Sequence, residues 1–154
     1  MDLESDDHYM DLALAEACKA EAAGEVPVGA VIVSRGTIIG SGFNQPISRQ
    51  DPTAHAEIIA LRQAARQTGN YRLSGATVYC TKEPCLMCAG AMIHARIKRL
   101  VFGTLDPKAG AAGSIYNALT DPRLNHRVDT LFGIRETECA SLLREFFARR
   151  RAGL

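Results

Sequence analysis

The chain changes from strand to helix within residues 76–94, which read ATVYCTKEPCLMCAGAMIH. The β-branched and aromatic run at 76–81 predicts a strand. Pro84 suits the first turn of a helix that continues to about His94. A second β-rich run follows at 97–103. A strand, a helix and a strand in this order are typical of α/β proteins.

The same alternation continues on both sides of this unit. Residues 44–52 and 104–114 contain Pro, Gly and Asn at positions that predict loops. Hydrophobic periodicity predicts further strands at 26–33, 37–43 and weakly at 128–132, and helices at 7–23, from Thr53 to before Gly69, and at 136–150, with a short helix or turn near 115–119. We therefore expect a mixed sheet of about five strands with helices on both faces.

Length and composition favour one soluble globular domain over residues 1–154. A chain of 154 residues is about one domain long, and its 47% hydrophobic and 23% charged residues exclude general disorder. No apolar run reaches the ~18 residues of a membrane span, and the acidic start MDLE is unlike a signal peptide. We expect a cytoplasmic protein without a membrane partner. The net charge of +1 excludes a globally basic nucleic-acid binder.

Charge is nevertheless unevenly distributed along the chain. Residues 1–11 carry five acidic residues and no Lys or Arg, whereas residues 144–154 carry four Arg against one Glu. Arg96, Lys98 and Arg99 form a second basic cluster. Solvated helix ends and phosphate-contacting patches both fit this pattern, and charge alone does not decide between them.

The five cysteines are an odd number, which argues against a disulfide framework and for reduced thiols or metal ligands. Cys18 and Cys139 fall in helical apolar stripes and Cys80 ends a β-rich run, so we expect these three in the core. Cys85 and Cys88 remain, three residues apart at a predicted helix start. Their sulfurs share one face near unpaired N–H groups, which favours thiolates.

His55 supplies a third candidate ligand. Two thiolates and a neutral imidazole balance the charge of a zinc ion, and three protein ligands leave the fourth tetrahedral position to water, as in catalytic zinc sites. His94 and His126 are weaker candidates for a fourth ligand, because neither stands in a ligand-like spacing. The sequence therefore predicts an open zinc site.

Glu57 adds an acid–base group to this site. Side chains two residues apart in a regular helix point about 200° apart, so His55 and Glu57 serve one centre only if the first helical turn meets it end-on. Asp51-Pro52 places a helix start just upstream. A carboxylate beside metal-activated water can take its proton and return it to a substrate nitrogen.

Neither motif is specific when it stands alone. A single His-x-Glu is usually a solvent-facing helical turn, and a single Cys-x-x-Cys is often a redox pair or part of a structural zinc knuckle. Here both occur in this order, each at a predicted helix start, with Pro84 before Cys85. Together they predict a catalytic zinc site.

This pattern resembles the signature of the zinc-dependent nucleobase deaminases, H-x-E followed by P-C-x-x-C. More narrowly, nearly the whole chain is similar to the bacterial tRNA adenosine deaminases. One departure is Phe43, where that family often has Trp before a loop Asn, and another is a short tail after the C-terminal Arg run. The stretches that carry the similarity are EVPVGA (25–30), DPTAHAE (51–57), EPC (83–85), CAGAM (88–92), GAAGS (110–114) and NHRV (125–128).

The resemblance implies a three-layer α-β-α cytidine-deaminase-like fold. It implies hydrolytic deamination of adenosine to inosine, with release of ammonia, at the wobble position of an arginine tRNA. One zinc ion per subunit would be held by His55, Cys85 and Cys88, with Glu57 as the proton shuttle. The family is dimeric and acts on the tRNA anticodon stem-loop, so a homodimer is expected and DNA is not expected as a natural substrate.

Four further residues are implied in substrate binding. Asn44 matches a loop asparagine that holds the target nucleoside, and Val28 a residue near the base. Phe147 resembles an aromatic beside the anticodon loop. Asp106 matches an aspartate that approaches the ribose of the nucleotide preceding the target. Ordinary structural roles stay open for three of them: strand packing for Val28, core packing for Phe147 and turn capping for Asp106.

Two other functions compete with this interpretation. A same-fold enzyme acting on free guanine, cytosine or cytidine would share the zinc site. A non-catalytic zinc module that binds RNA or a partner would share the Cys-x-x-Cys pair. Glu57 argues against the second, because a structural zinc site needs no such carboxylate.

Overall fold

The computed structural model describes residues 3–153, so Asp2 of the acidic start lies outside the described residues. Its helices and strands are, in chain order, α1 (Leu3–Ala22), β1 (Gly29–Ser34), β2 (Thr37–Phe43), α2 (Pro46–Arg49), α3 (Ala56–Thr68), β3 (Thr77–Lys82), α4 (Leu86–His94), β4 (Arg99–Thr104), β5 (Asp129–Phe132) and α5 (Glu136–Arg151). The strands form one sheet in the order β2-β1-β3-β4-β5. β3, β4 and β5 are parallel, whereas β1 is antiparallel to both of its neighbours.

Buried side chains alternate between the two faces of the sheet, as the two-residue period of a strand requires. Val78 and Leu100 pack with α3 and α4 on one face. Tyr79 and Val101 pack with α1 and α5 on the other face. The chain therefore forms three layers, and the predicted mixed sheet with helices on both sides is confirmed.

One edge of the sheet gathers four chain segments. The parallel pairing of Lys82 with Thr104 brings the carboxyl ends of β3 and β4 together. Ala30 pairs with Cys80, so the amino end of β1 lies at the same edge, and the carboxyl end of β2 is beside it. Ligand sites of α/β sheets commonly lie beyond such an edge.

Two glycines allow helices to lie against this edge. A Cβ at Gly29 would collide with backbone atoms of Ala13 and Ala17 in α1. A Cβ at Gly42 would lie 2.7 Å from the carbonyl oxygen of Ala56, the first residue of α3. Because neither collision can be relieved by a side-chain rotation, only glycine permits this close packing of strand and helix.

Two of the local predictions are wrong. α3 begins at Ala56 instead of near Thr53, because Asp51 accepts hydrogen bonds from the N–H and hydroxyl of Thr53 and holds a turn there. Residues 46–49, predicted as loop, form the single-turn helix α2. The predicted helix or turn near 115–119 forms no helix: a bend at 115 and a turn beginning at 119 enclose residues tied by backbone bonds to Gly110 and Ala111, so the turn alternative is correct.

Cys18 is also exposed, contrary to its predicted place in the core. α1 buries the narrower stripe of Met10, Ala13, Ala17 and Ala20. Position 18 lies about 100° around the helix from position 17, on the flank of this stripe, so its side chain faces solvent. Cys80 and Cys139 are buried as predicted. No helix among residues 3–153 is long and apolar enough to cross a membrane.

Candidate metal centre

Two helix starts deliver three ligand atoms to one point. His55 is the residue immediately before α3 and Cys85 the residue immediately before α4, and neither side chain caps its own helix. Cys88 lies in the first turn of α4. The imidazole Nδ1 is 3.5 Å from the Cys85 sulfur and 3.4 Å from the Cys88 sulfur. All three atoms lie within 4.8 Å of one another.

These distances fit a zinc ion. Bonds of about 2.0 Å to nitrogen and about 2.3 Å to sulfur in a tetrahedron require a separation of about 3.5 Å between the two ligand atoms. The observed separations of 3.4 and 3.5 Å match that value. His94 and His126 do not belong to the group, which among the described residues holds three ligands and leaves one position open.

The ligands are also prepared electrostatically for a cation. The hydrogen bond from Cys88, together with that from His55, lowers the pKa of Cys85 to about 3. The same bond raises the pKa of Cys88, because its proton is held by the Cys85 thiolate. Hydrogen bonding to Cys85 raises the pKa of His55. These two hydrogen bonds thus favour the thiolate form of Cys85, and a position beside a helix amino terminus favours it as well.

Glu57 lies in the first turn of α3, so the helix meets the centre end-on as predicted. Its side chain is 4% exposed. Desolvation raises the pKa of its carboxyl group above the ordinary value. A carboxyl whose pKa moves toward neutrality can both accept and return a proton during a reaction near neutral pH.

A cavity of about 260 Å³ opens over this centre, and the structure places every predicted substrate residue on it. The walls come from the sheet edge, from the two loops beyond it and from α5. Those predicted residues are His55, Glu57, Cys85, Val28, Asn44, Asp106 and Phe147, while Cys88 is buried beneath. Their roles toward a substrate are predictions from the family resemblance.

The four predicted substrate residues differ in how they are held. The backbone N–H of Asn44 donates to the carbonyl of Val28 at 3.0 Å, so these two residues are fixed together. Phe147 is 43% exposed, whereas its neighbour Phe146 is 6% exposed and carries the core packing. The aromatic ring of Phe147 is therefore free to contact a ligand.

Asp106 is both a turn cap and a cavity residue. Its Oδ1 accepts the backbone N–H groups of Lys108 and Ala109 at 3.1 and 3.3 Å. Its Oδ2 lies 3.3 Å from the Lys82 ammonium group. The predicted alternative of turn capping is thus correct for one oxygen, while the side chain still lines the cavity.

A buried carboxylate braces the wall that carries Asp106. Glu83 is 1% exposed and accepts the backbone N–H groups of Asp106, Ala112 and Ser114 as well as the Ser114 hydroxyl. Burial alone would raise the pKa of Glu83, but these hydrogen bonds outweigh it and hold the pKa below the ordinary value. Loop 105–114 therefore takes its shape from one charged side chain.

Glu25 braces the opposite wall in the same way. It is 1% exposed and accepts the N–H groups of Ile47 and Ser48 and the Ser48 hydroxyl. These bonds fix α2, which follows Asn44. Sequence reasoning missed both carboxylates, although each stands in a stretch that carries the family resemblance, EVPVGA or EPC.

The comparisons with known proteins agree with this geometry. Residues 3–104 match the family model of the cytidine and deoxycytidylate deaminase zinc-binding region. The chain is 52% identical over 149 residues to the tRNA-specific adenosine deaminase of Haemophilus influenzae, covering 96% of this chain and 86% of that protein. It is 44% identical over 145 residues to the tRNA-specific adenosine deaminase of Bacillus subtilis, covering 94% and 90%.

A solved structure shows the same architecture. It comes from a study of A-to-I editing by tRNA:A34 deaminases at the wobble position of transfer RNA. Its TM-score is 0.85 at 45% identity, and the match covers 88% of this chain and 99% of that chain.

Replacing Glu83 with Gln should destabilise the protein most at neutral pH. The amide cannot accept all four donors, so we expect a loss of about 1–3 kcal/mol in the free energy of unfolding. Because the folded pKa of Glu83 lies below its ordinary value of 4.5, its contribution is present above that pH and is lost as the pH falls through the folded pKa.

Urea unfolding at pH 7 and below pH 4 would measure this difference. The difference in the free energy of unfolding between wild type and Glu83→Gln should be smaller at the lower pH. Exposed Glu145→Gln is the control and should leave stability unchanged at both. An equal difference in the free energy of unfolding at both pH values would contradict stabilisation of the loop by the ionised Glu83 carboxylate.

Proposed function

Because the chain belongs to the cytidine and deoxycytidylate deaminase family and, within it, to the tRNA-specific adenosine deaminases, we propose that it converts adenosine to inosine at the wobble position of a tRNA anticodon. The observation that carries the proposal is the placement of Glu57 beside the His55, Cys85 and Cys88 ligand set on the floor of one cavity. A structural zinc site needs neither the open position nor the buried carboxylate.

The chemistry divides between the metal and the protein. His55, Cys85 and Cys88 would hold the zinc ion, which would supply a water of lowered pKa that can act as a nucleophile at neutral pH. Glu57 would take one proton of this water and deliver it to the adenine ring nitrogen as the oxygen bonds to the ring carbon that carries the amino group. Glu57 would then take the second proton of that oxygen and deliver it to the amino group, whose C–N bond breaks to release ammonia and leave the carbonyl of inosine. Burial suits Glu57 to this shuttle, because the raised pKa makes its protonated form accessible.

The cavity walls would hold the nucleotide. Asn44 binds the target nucleoside, Val28 packs near the base and Phe147 contacts the anticodon loop. The bracing of Asn44 through α2 and of Asp106 through Glu83 keeps both walls in place before the substrate arrives. Such preorganisation reduces the cost of ordering the site on binding.

An anticodon loop is a suitable substrate in physical terms. Its bases are unpaired, so turning one into the cavity does not require opening a duplex, which costs a few kcal/mol. An arginine tRNA is the expected substrate from the family resemblance. A protein that modifies tRNA would work in the cytoplasm.

We also propose that the chain forms a homodimer. An apolar depression of about 370 Å³ lies between α3 and α4, lined by Ile58, Ala65, Ala91 and the 69% exposed Tyr71. α4 carries no Asp, Glu, Lys or Arg. Exposed apolar patches of this kind mark interaction surfaces, and a second copy of the chain offers a matching one.

Replacing Glu57 with Gln should separate chemistry from metal binding. The wild-type protein should convert adenosine to inosine in an arginine tRNA stem-loop and leave free guanine, cytosine and cytidine unchanged. Mass spectrometry of the products would measure both results. Glu57→Gln should keep zinc and tRNA binding while the rate falls by about 10²–10⁴-fold or more. Cys88→Ala should lose zinc and stability together.

Two results would contradict these roles. Near-normal turnover by Glu57→Gln would exclude it as the proton shuttle. Turnover of a free base with no reaction on the stem-loop would show that the substrate is a small molecule and not tRNA.

Asp106→Asn should weaken the preference for RNA over DNA. Asn keeps the Oδ1 acceptor that caps the turn but loses the charged Oδ2, which can accept a bond from a ribose 2′-hydroxyl. We expect the ratio of turnover on RNA and deoxy-substituted stem-loops to fall by about tenfold, equivalent to ~1.4 kcal/mol. Zinc content should not change. An unaltered ratio of turnover on the two stem-loops would mean that Asp106 caps the turn and does not recognise the ribose.

Ala65→Glu should dissociate the dimer. A charge in the apolar depression would lose its hydration at the interface, so sedimentation equilibrium should show monomers at concentrations where wild type is dimeric. The matched change Ala148→Glu, at an exposed position of α5, should leave the dimer intact. A monomeric wild type would refute the assembly.

A further inference from the structure

Lys82 is the one Lys or Arg among the described residues that line the cavity over the metal ligands. It is the last residue of β3, and its side chain is 30% exposed. The acidic residues on the same cavity are Glu57, Glu83 and Asp106. Lys82 belongs to none of the stretches that carry the family resemblance, so the resemblance assigns it no role.

The two-residue period of β3 explains where the Lys82 side chain starts. Val78 and Cys80 are buried in the core that the sheet shares with α3 and α4. Lys82 follows Cys80 by two residues, so its side chain leaves the strand on the same face, where the core ends and the cavity begins. An ammonium group at such a position loses part of its hydration, and it needs a partner of opposite charge.

Asp106 is that partner. Lys82 pairs with Thr104 in the parallel register of β3 and β4, and Asp106 follows Thr104 by two residues. The Nζ atom of Lys82 lies 3.3 Å from Oδ2 of Asp106. The other oxygen, Oδ1, already accepts the N–H groups of Lys108 and Ala109. Lys82 thus approaches the oxygen of Asp106 that the turn does not use.

A second carboxylate beside Asp106 gives this contact a purpose. Glu83 accepts the backbone N–H of Asp106 at 3.0 Å, and its hydrogen bonds hold its pKa below the ordinary value, so it is negatively charged at neutral pH. Two like charges so close together repel each other. This repulsion favours positions of the Asp106 carboxylate farther out in solvent. The ammonium group of Lys82 offsets the repulsion and keeps Oδ2 at the cavity.

The basic clusters of the sequence do not supply another cation to this cavity. Arg99 pairs with Asp6 at 2.6 Å, on the α1 side of the sheet. In the C-terminal run, Arg149 pairs with Glu21 at 2.8 Å and so ties α5 to α1. Neither arginine lines the cavity, so neither can take the place of Lys82 beside Asp106.

We propose that Lys82 is a positioning residue that sets the preference for ribose over deoxyribose by holding Oδ2 of Asp106 at the cavity. The proposal rests on the proposed function, because that function supplies a ribose next to the target nucleoside. A carboxylate oxygen has two lone pairs, so Oδ2 can accept the 2′-hydroxyl while it remains paired with Lys82. DNA lacks this hydroxyl, so the held carboxylate favours RNA alone.

The first test removes the ammonium group. Lys82→Met keeps a side chain of similar length but leaves the Asp106 carboxylate without its cation. The ratio of kcat/KM on RNA and deoxy-substituted stem-loops should therefore fall by about fivefold, as is usual for the coupling of two residues in contact. Lys82→Arg keeps the charge and should keep the wild-type ratio. Zinc content should be the same in all three proteins.

A double-mutant cycle tests whether Lys82 acts through Asp106. In a protein that already carries Asp106→Asn, the charged oxygen is absent, so adding Lys82→Met should leave the ratio of turnover on the two stem-loops unchanged. Independent contributions would instead multiply, and the double variant would lose about fiftyfold of the ratio. That result would overturn the positioning role.

The matched control is Lys108→Met, which removes a cation from the same loop. The side chain of Lys108 is exposed, and the residue bonds to Asp106 through its main-chain N–H, which methionine keeps. A phosphate that Lys108 contacts is present in RNA and in deoxy-substituted loops alike. The control should therefore leave the ratio of turnover on the two stem-loops unaltered.

The second test removes one 2′-hydroxyl at a time. In the wild-type protein, a single deoxyribose at the nucleotide preceding the target should lower kcat/KM. Lys82→Met should make that loss about fivefold smaller, because its Asp106 no longer gains from the hydroxyl. A single deoxyribose in the stem should have the same effect on both proteins.

A wild-type ratio in Lys82→Met would overturn the positioning role. With a lowered melting temperature, it would mean that the ion pair only stabilises the fold, and with an equal loss on both stem-loops, that Lys82 contacts a phosphate. The proposed function would stand in both cases. A wild-type protein that deaminates neither stem-loop would overturn the proposed function together with the role of Lys82.

Discussion

The convergence of two helix starts is the constraint on which the rest of the site depends. α3 and α4 point their first turns at one place, and the residues that precede them, His55 and Cys85, give their side chains to that place instead of capping their own helices. This geometry needs the sheet edge behind it. Gly42 allows α3 to begin against β2, and the crossover from β3 through α4 to β4 brings the cysteines to the same edge.

Three buried carboxylates surround the cavity, and their surroundings give them different tasks. Glu25 and Glu83 each accept several N–H and O–H donors, so both remain ionised and act as anchors for loops. Glu57 has an environment in which desolvation dominates, and its pKa rises. The same functional group thus serves as a structural anion in two positions and as a proton carrier in the third.

Local patterns in the sequence were sufficient to predict the alternation of strands and helices and the grouping of His55 with Cys85 and Cys88. Hydrophobic periodicity and motif spacing involve residues a few positions apart, so both can be read from the sequence alone. The buried state of Glu83 depends instead on a loop more than twenty residues away, and no periodicity distinguishes it from an exposed glutamate. The prediction for Cys18 failed for a related reason: the buried face of α1 is set by the side of the helix that packs on Gly29, and that side carries Ala13 and Ala17.

The loop anchored by Glu83 has a consequence for how the cavity can change in evolution. Three of the four donors to Glu83 are main-chain N–H groups, which every residue except proline provides. Several side chains along the loop can therefore change without loss of these three bonds. The exceptions are Asp106 and Ser114, whose side chains bond within the loop, Gly110, where a Cβ would collide with the Glu83 carboxylate, and Gly113, whose φ is +133°. In such a wall the backbone path is independent of most of the side chains that face the cavity. New substrate preferences can therefore arise by exchange of those side chains while the backbone stays the same.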